Sequence, residues 1–243
     1  MKNTVIIIPT RLKAERFPNK PLEKINGTPM IIHVLNRAKE SKVGEVYIAT
    51  PDNKILDIVK ENGGNAILTK ENHASGTDRI YELYFNNLKR DVDLIINLQG
   101  DMPNIKPSSI SKLVKLMRQS KAEVGTLASL LESEDEISNY NIVKVEVSKK
   151  LEIDDFLSAK DFFRIKKDLK NEKIYHHIGI YAFTSVALTK YVKLERSKLE
   201  IERNLEQMRA MENGMPIKVG LSDSYPLSVD TKEQLIKVSQ EMK

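Results

Sequence analysis

The chain of 243 residues contains no cysteine. Without thiols it can form neither disulfide bonds nor thiolate metal sites, and a cysteine nucleophile is excluded. It also has no apolar run near the roughly 18 residues that a membrane-spanning helix needs, so no membrane insertion is expected. The first predicted strand follows soon after Lys2, without the apolar segment and small-residue cleavage site of a secretory signal. We therefore expect a cytoplasmic protein.

A strong charge excess is missing as well. The 39 basic residues face 34 acidic ones, which gives a formal net charge of +5. No long basic stripe with interleaved aromatic residues occurs, so nucleic acid is not an expected partner. A small basic balance is equally consistent with a nucleotide-phosphate ligand. Apolar residues make up 40% of the chain, enough for a packed core.

Three common signatures of catalysis or phosphate binding do not occur in the sequence. There is no Gly-x-Ser-x-Gly elbow, so a serine hydrolase of that type finds no support. Neither a Walker A loop nor a Gly-x-Gly-x-x-Gly fingerprint is found. A phosphate site in this chain would therefore use cationic side chains rather than a glycine-rich cradle.

The first half of the chain alternates between predicted strands and predicted helices. This pattern predicts a parallel sheet with helices on both faces. Because such crossovers are right-handed, the loops that follow the strands are expected along one edge of the sheet. The predicted elements are, in order, strand 4–8, helix 30–42, strand 45–49, helix 53–62, strand 66–68, helix 76–88, strand 94–98 and helix 107–119.

The second half is less regular. We predict strands over 124–130, 142–147, 174–183 and 216–219, and helices over 199–213 and 231–242. The charged stretch 148–173 has no clear period, and we interpret it as a hairpin-like excursion from the sheet rather than as a separate domain. The whole chain, 1–243, is thus predicted to be one domain.

A basic loop follows the first strand. The aliphatic run that ends at Pro9 is typical of a buried strand in a parallel sheet. Arg11, Arg16 and Lys20 follow at spacings of four or five residues. Open α/β sheets bind ligands beyond the carboxyl ends of their strands, and cations placed there suit a polyphosphate. A solvated basic loop is the competing interpretation, and the spacing alone does not decide between the two.

Two aspartates are candidate metal ligands. Asp101 directly follows an aliphatic strand and Gly100, where a carboxylate is well placed to bind Mg²⁺. A turn-capping role for Asp101 fits the sequence equally well. Asp230 precedes Thr231, a candidate N-cap of the last helix. The sequence does not show whether the two carboxylates meet.

The start of the predicted helix at Gly76 is a candidate nucleotide contact. Ser75 or Thr77 can cap it, and the first-turn N–H groups could bind a base or a phosphate. Asp78 and Arg79 are interpreted as a surface ion pair.

The predicted strand 174–183 carries two adjacent histidines, His176 and His177. Neighbouring residues on a strand face opposite sides, so a metal site that uses both is not expected. A core histidine is the ordinary interpretation of each, and a contact between one of them and a ligand is the alternative. On the predicted helix 199–213, polar residues such as Glu206 and Gln207 would ordinarily face solvent.

Taken in order, these segments resemble the 3-deoxy-manno-octulosonate (Kdo) cytidylyltransferase family, from Ile6 to about Leu235. Each motif is weak alone, and the ordered set is specific. The motifs are RFPNKPL at 16–22, SGTDRI at 75–80, QGD at 99–101, HIGIY at 177–181, LEQMR at 205–209 and VDT at 229–231.

The resemblance implies an α/β fold of the Rossmann-like, glycosyltransferase-A-like nucleotidyltransferase type. It implies a mostly parallel sheet flanked by helices, with the excursion 148–173 serving dimerisation or the acceptor side of the site, and a homodimer. The implied reaction joins CTP and Kdo, with Mg²⁺, to give CMP-Kdo and diphosphate for lipopolysaccharide biosynthesis.

The resemblance also implies roles for individual residues. The nucleotide would be bound by Arg11, Arg16, Lys20, Ser75, Thr77 and Asp78. The catalytic residues would be Arg11, Lys20 and Asp101, and the metal ligands Asp101 and Asp230. The sugar would be contacted by Gln99, His177, Tyr181, Glu206 and Gln207.

Three positions depart from the family pattern. Met102 stands where the family usually has Glu, Ala159 follows Leu157-Ser158 where Phe-Ser-Arg is expected, and Ser228 replaces a frequent Gly. We expect these departures to affect which sugar the protein accepts more than the transfer reaction itself. They leave open another acidic sugar, such as a sialic acid or 8-amino-Kdo, as the acceptor. A nucleotide-binding protein without catalytic activity is the third interpretation.

Overall fold

A computed structural model describes residues 3–13, 17–89, 91–165 and 173–242. Its internal contacts form two compact units: unit 1 comprises residues 1–111 and 226–243, and unit 2 comprises residues 112–225. The prediction of one domain over 1–243 stays a prediction.

No helix in these described ranges combines the length and the apolar character that crossing a bilayer requires.

Unit 1 contains a parallel sheet with the strand order β5-β4-β1-β6. Its strands and helices alternate as predicted, with bounds that differ by at most two residues. The predicted helix 76–88 is an α-helix that continues as a π-helical turn (Tyr84–Leu88). The elements are β1 (Thr4–Pro9), β2 (Lys24–Ile25), β3 (Thr28–Pro29), α1 (Met30–Glu40), β4 (Glu45–Thr50), α2 (Asn53–Glu61), β5 (Asn65–Leu68), α3 (Gly76–Leu83), β6 (Leu94–Leu98), α4 (Pro107–Gln119), which ends in unit 2, and α9 (Lys232–Glu241).

The core of unit 1 is built on β1, which lies between β4 and β6. Ile6, Ile7 and Ile8 are completely buried, as expected for a central strand that is covered on both faces. A second apolar cluster contains Phe17, Val229 and Val238 together with two residues of the β2–α1 region. It joins the loop after β1 to the segment that enters α9. Thr231 caps that helix as predicted, in a capping box with Gln234.

Unit 2 contains five strands whose pairings close into a ring. β10 pairs with β7 and with β8, β7 pairs with β11, β11 with β9, and β9 with β8. Only the β7–β11 pairing is parallel. The predicted parallel arrangement therefore holds for unit 1, and the chain as a whole has mixed strand pairing. The elements are β7 (Val124–Ser129), α5 (Glu134–Ser138), β8 (Lys144–Val147), β9 (Phe156–Phe163), β10 (Ile174–Thr184), α6 (Ser185–Tyr191), α7 (Lys198–Arg203), α8 (Met208–Glu212) and β11 (Ile217–Leu221).

The interpretation of 148–173 as an excursion from the sheet is wrong for Phe156–Phe163. These residues form β9, which hydrogen-bonds to β11 on one side and to β8 on the other. Ser158 and Lys160 are exposed, whereas Phe162 is buried, so the strand mixes polar and apolar positions without the continuous apolar run of β1. Residues 166–172 lie outside the described residues, and the dimerising role of this stretch stays a prediction.

The predicted helix 199–213 is also wrong as a single element. The structure has two short helices, α7 and α8, separated by residues 204–207. Asn204 has a φ of 50°, a left-handed conformation that ends a helix. This break gives Glu206 and Gln207 positions in a turn instead of on a solvent-facing helix surface.

The adjacent histidines of β10 predict that unit 2 is sensitive to acid. Burial lowers the pKa of His176 to about 4 and that of His177 to about 3, helped by the charge of Lys144 and of His176 respectively. The unfolded chain takes up these protons near pH 6.5, whereas the folded chain does not, so their contribution to stability is present above that pH and lost below it. As the pH falls from about 6.5, the pKa of the unfolded chain, towards the pKa of the folded chain, we expect each histidine to lower the free energy of unfolding by about 1.4 kcal/mol per pH unit.

Urea unfolding at a series of pH values from about 7 to about 5 measures this slope. His176→Phe keeps an aromatic ring against Tyr225, whose ring centroid lies 4.0 Å away, and removes one titrating group. It should reduce the slope by about half. The same slope in the variant and the wild type would contradict the assignment.

Candidate active site

The centre of the candidate site in unit 1 is the Lys20 ammonium group. Lys20 begins a short 3-10 helix (Lys20–Leu22) in the loop that follows β1. Its Nζ donates to Asp101 Oδ2 and to Asp230 Oδ1, each at 3.1 Å. The structure therefore brings together two carboxylates that the sequence could not connect.

Two contacts explain why these three distant residues meet. Phe17 and Val229 pack in one buried cluster, which places the loop that carries Lys20 beside the residue that precedes Asp230. The Val229 amide donates to the main-chain oxygen of Asp101 at 2.9 Å. The positions of all three side chains thus follow from apolar packing and main-chain bonding close to each of them.

The electrostatics of the centre keep Lys20 charged. Burial lowers the pKa of the ammonium group, but the charges and hydrogen bonds of Asp101 and Asp230 outweigh it, and the net shift is upward. The Lys20 side chain is 16% exposed, against 25% for Asp101 and 34% for Asp230. Both carboxylates therefore remain accessible to a ligand from solvent.

The carboxylates of Asp101 and Asp230 could together hold a divalent cation. Both already accept from one cationic nitrogen, so their oxygens converge on a point where positive charge is stabilised. No cluster of three or more His, Asp or Glu side chains suited to a metal occurs in the described part of the chain. Mg²⁺ commonly takes one or two carboxylates and completes its coordination with substrate phosphates and water, so this donor set fits it.

A pocket of about 130 Å³ opens at the end of β1. Residues 9–11, residues 73–76, Arg79 and Gln99 line it, so three predicted ligand contacts, Arg11, Ser75 and Gln99, line the same space. Gly76 allows the close approach, because a Cβ atom there would stand 3.3 Å from Pro9 Cγ. The pocket lies where ligands bind in open α/β sheets.

The N-terminus of α3 forms one wall of this pocket. Ser75 caps the helix, accepting from the Asp78 amide at 3.2 Å and donating to Asp78 Oδ2 at 2.8 Å. Thr77 is buried, and its hydroxyl accepts from Asn97 Nδ2 at 3.0 Å. Ser75 thus lines the pocket, whereas the Thr77 side chain joins α3 to β6. Their nucleotide contacts, like that of Asp78, stay predictions.

Arg79 is not the surface residue that the sequence suggested. It is 3% exposed and donates to Thr69 Oγ1 at 2.6 Å, Lys70 O at 2.9 Å and Glu71 O at 3.1 Å. Burial and then the charge of Arg11 lower its pKa. A cation at the base of the pocket is a feature that sequence reasoning missed, because an Asp-Arg pair at a helix start is typical of surfaces.

Asp52, which the sequence analysis also missed, holds the loop that carries Arg11. The Leu12 amide donates to Asp52 Oδ2 at 2.8 Å, and the Asn19 amide donates to the Leu12 oxygen at 3.0 Å. These bonds fix both ends of the basic loop. Arg16, the third predicted phosphate contact, lies outside the described residues.

Unit 2 contains four of the predicted sugar contacts, two of them on β10. His177 Nε2 lies 3.1 Å from Thr126 Oγ1, and its ring packs edge-on against Phe162. Tyr181 packs against His177 with ring centroids 5.3 Å apart. Burial and then the charge of Glu206 raise the pKa of the Tyr181 phenol, which stays protonated.

The other two predicted sugar contacts of unit 2, Glu206 and Gln207, lie in the turn between α7 and α8. Glu206 accepts hydrogen bonds from the Tyr191 hydroxyl through its main-chain oxygen and its carboxylate. Gln207 Nε2 and the Tyr181 hydroxyl are buried and have no hydrogen-bond partner among the residues that the structure describes. Buried polar atoms are rarely left this way unless a ligand or a water completes them.

The model of the cytidylyltransferase family matches residues 5–217. The chain belongs to the cytidylyltransferase family. Two similar relatives carry the name 3-deoxy-manno-octulosonate cytidylyltransferase. The one from Rhodopseudomonas palustris is 41% identical and covers 96% of this chain and 94% of its own length. The one from Thermodesulfovibrio yellowstonii is 43% identical, and the match covers 96% of this chain and 95% of the relative.

Solved structures agree with this family assignment. A CMP:2-keto-3-deoxy-manno-octonic acid synthetase, determined in complex with CTP, matches this chain with a TM-score of 0.89 and 35% identity, covering 99% of this cytidylyltransferase and 98% of the other chain. The 4-diphosphocytidyl-2C-methyl-D-erythritol synthase of Anaerococcus prevotii shares the fold alone, with a TM-score of 0.66 and 15% identity. The predicted α/β nucleotidyltransferase fold is confirmed.

Proposed function

We propose that this cytidylyltransferase activates Kdo, converting CTP and Kdo into CMP-Kdo and diphosphate for lipopolysaccharide biosynthesis. The observation that carries the proposal is the convergence of Asp101 and Asp230 on the Lys20 ammonium group. Lys20 and Asp101 follow the pocket residues Arg11 and Gln99 in the sequence. The names of the similar relatives, and the CTP bound to the similar solved structure, identify the nucleotide and the sugar.

In the proposed reaction the anomeric hydroxyl of Kdo attacks the α-phosphorus of CTP. A bond forms between the sugar oxygen and the α-phosphorus, and the bond from the α-phosphorus to the bridging oxygen of the β-phosphate breaks in line, releasing diphosphate. The proton of the attacking hydroxyl leaves to the released diphosphate or to solvent. Arg11, Arg16 and Lys20 bind the triphosphate and stabilise the charge that builds on the leaving diphosphate. Lys20 suits this role because its ammonium group remains charged at neutral pH.

Asp101 and Asp230 would hold the Mg²⁺ ion. When bound, the ion would supply positive charge to the α-phosphate and polarise it. The chain's own contribution is to keep the two carboxylates fixed: the main chain of Asp101 accepts from Val229, and the Asp230 amide donates to Gln234 Oε1 at 2.6 Å.

The proposed acceptor contacts are Gln99, His177, Tyr181, Glu206 and Gln207. A sugar acid carries many hydroxyl groups, each of which can donate and accept. Such a ligand would supply partners for the buried Tyr181 hydroxyl and for Gln207 Nε2.

We also infer a cytoplasmic homodimer from the resemblance to the family. Tyr140 and Ile165, 63% and 51% exposed, are apolar surface in unit 2 that a second copy could cover.

The deciding experiment measures diphosphate release with CTP and Mg²⁺ in the presence of Kdo, 8-amino-Kdo or N-acetylneuraminate. We expect release with Kdo. Release only with another acid would keep the chemistry and change the substrate. Binding of CTP without release in any of the three reactions would favour the non-catalytic nucleotide-binding protein.

A further inference from the structure

Glu206 lies in the segment 204–207, which is not helical and connects α7 to α8. The Tyr191 hydroxyl, at the end of α6, donates to the main-chain oxygen of Glu206 at 2.9 Å and to its Oε1 at 3.3 Å. The single proton of this phenol is therefore shared between the main-chain oxygen and the carboxylate of the same residue, and the Arg209 amide also donates to that main-chain oxygen, at 3.1 Å.

We propose that the Tyr191 hydroxyl is a positioning group that sets Glu206 for the acceptor sugar. The inference rests on the proposed function, in which Glu206 contacts that sugar. Tyr191 itself is 1% exposed and acts through Glu206.

The two ends of the connecting segment are fixed independently of this hydroxyl. Arg209 donates to the Glu200 carboxylate through two nitrogens, at 2.8 and 2.7 Å, and so joins α8 to α7. Arg196 adds a further bond to Glu200 at 3.0 Å. The helices are therefore held together by a buried ion pair. Main-chain bonds from the Leu205 amide to the Glu200 oxygen, at 3.2 Å, and from the Arg209 amide to the Glu206 oxygen, at 3.1 Å, hold the backbone of the segment, so what the Tyr191 hydroxyl adds is the placement of the Glu206 side chain.

The Tyr191 ring is also held without its hydroxyl. The Arg209 guanidinium lies 4.9 Å from the ring centroid, and the Phe183 ring centroid lies 5.7 Å away. Removing the oxygen should therefore leave the ring in place and delete only the bonds to Glu206.

The hydroxyl is suited to act as a permanent donor. Burial and then the charge of Glu206 raise the pKa of the phenol, so it keeps its proton throughout the physiological range. A glutamate side chain has several rotatable bonds, and holding it in one geometry before the sugar arrives removes an entropy cost from binding. The bond to the carboxylate oxygen is 3.3 Å long, so it orients the side chain but is weaker than a short charge-assisted hydrogen bond.

The test compares the wild type with Tyr191→Phe in the diphosphate-release assay. We expect the KM for the acceptor sugar to rise roughly tenfold, with the KM for CTP unchanged. Tyr175→Phe is the matched control: its hydroxyl accepts from the Leu151 amide at 2.8 Å in the same unit and is equally buried. The control should match Tyr191→Phe in lost stability and keep the acceptor KM of the wild type.

A second measurement separates positioning from general loosening of the fold. In a Glu206→Ala background, Tyr191→Phe should raise the acceptor KM far less than it does in the wild type, because the carboxylate through which it acts is gone and only its bond to the main-chain oxygen of residue 206 remains. Additive effects of the two substitutions would overturn the inference, and so would an unchanged acceptor KM in Tyr191→Phe. A wild type that releases no diphosphate with any of the three acids would overturn the proposed function itself and, with it, this role of Tyr191.

Discussion

Asp101→Asn is expected to lower kcat roughly a thousandfold, because a neutral amide cannot hold a divalent cation beside Asp230 or stabilise charge on the α-phosphate. Loss of the several kcal/mol that a bound metal contributes to the transition state corresponds to a factor of this size. The fold should be retained, since the bond from Val229 reaches the main-chain oxygen of Asp101 and not its side chain. Diphosphate release at saturating CTP, repeated over a range of Mg²⁺ concentrations, measures the effect.

Asp155→Asn is the matched control for this substitution. Asp155 also pairs with a lysine, Lys149, at 3.3 Å, in unit 2 and in a position to which no role is assigned. It should keep the kcat of the wild type. Near-normal turnover of Asp101→Asn, with unaltered dependence on Mg²⁺, would show that this carboxylate is not a metal ligand.

Lys20→Met is expected to lower kcat/KM for CTP roughly a hundredfold. It removes a cation that would bind the triphosphate, and it leaves the negative charges of Asp101 and Asp230 facing each other and the incoming phosphates. The methionine keeps most of the apolar stem, so packing against the neighbouring loop is preserved. Steady-state kinetics with CTP as the varied substrate measure the loss.

The variant should also respond differently to magnesium in the absence of nucleotide. With the ammonium group gone, Mg²⁺ can neutralise both carboxylates, and it should raise the melting temperature of Lys20→Met more than that of the wild type. Lys149→Met, which removes the lysine of the control pair with Asp155, should show neither effect. CTP kinetics in Lys20→Met equal to those of the wild type would mean that the basic loop is only surface.

Much of unit 1 could be predicted from the sequence because local signals and tertiary structure agree there. The aliphatic run of β1 is buried on both sides, and short turns connect α1 to β4 and α2 to β5. The carboxyl-end position of Asp101 follows from the same pattern. Its meeting with Asp230 does not, because it depends on the packing of Phe17 against Val229, two residues distant in the sequence.

Unit 2 was harder to predict because its signals are mixed. In β9 the exposed Lys160 and the buried Phe162 are only two residues apart, so burial does not follow the regular alternation of a strand with one buried face. Its two partner strands, β8 and β11, are far from each other in the sequence. The stretch 199–213 has a helical pattern of apolar residues, yet Asn204 adopts a left-handed conformation that divides it. The roles of Arg79 and Tyr191 depend on contacts between elements, for which a single sequence holds no local signal.

Unit 1 is discontinuous along the chain: residues 226–243 return to it after all of unit 2 has been traversed. During synthesis, the strands of the parallel sheet leave the ribosome first, but Val229 and Asp230 emerge only after residues 112–225. The contact of Asp101 and Asp230 with Lys20, and the apolar cluster that positions it, can therefore form only after unit 2 has been synthesised. A nascent or truncated chain that ends before residue 226 has the basic loop and Asp101 but lacks Asp230, so the proposed metal site would form only after residue 230 has been added.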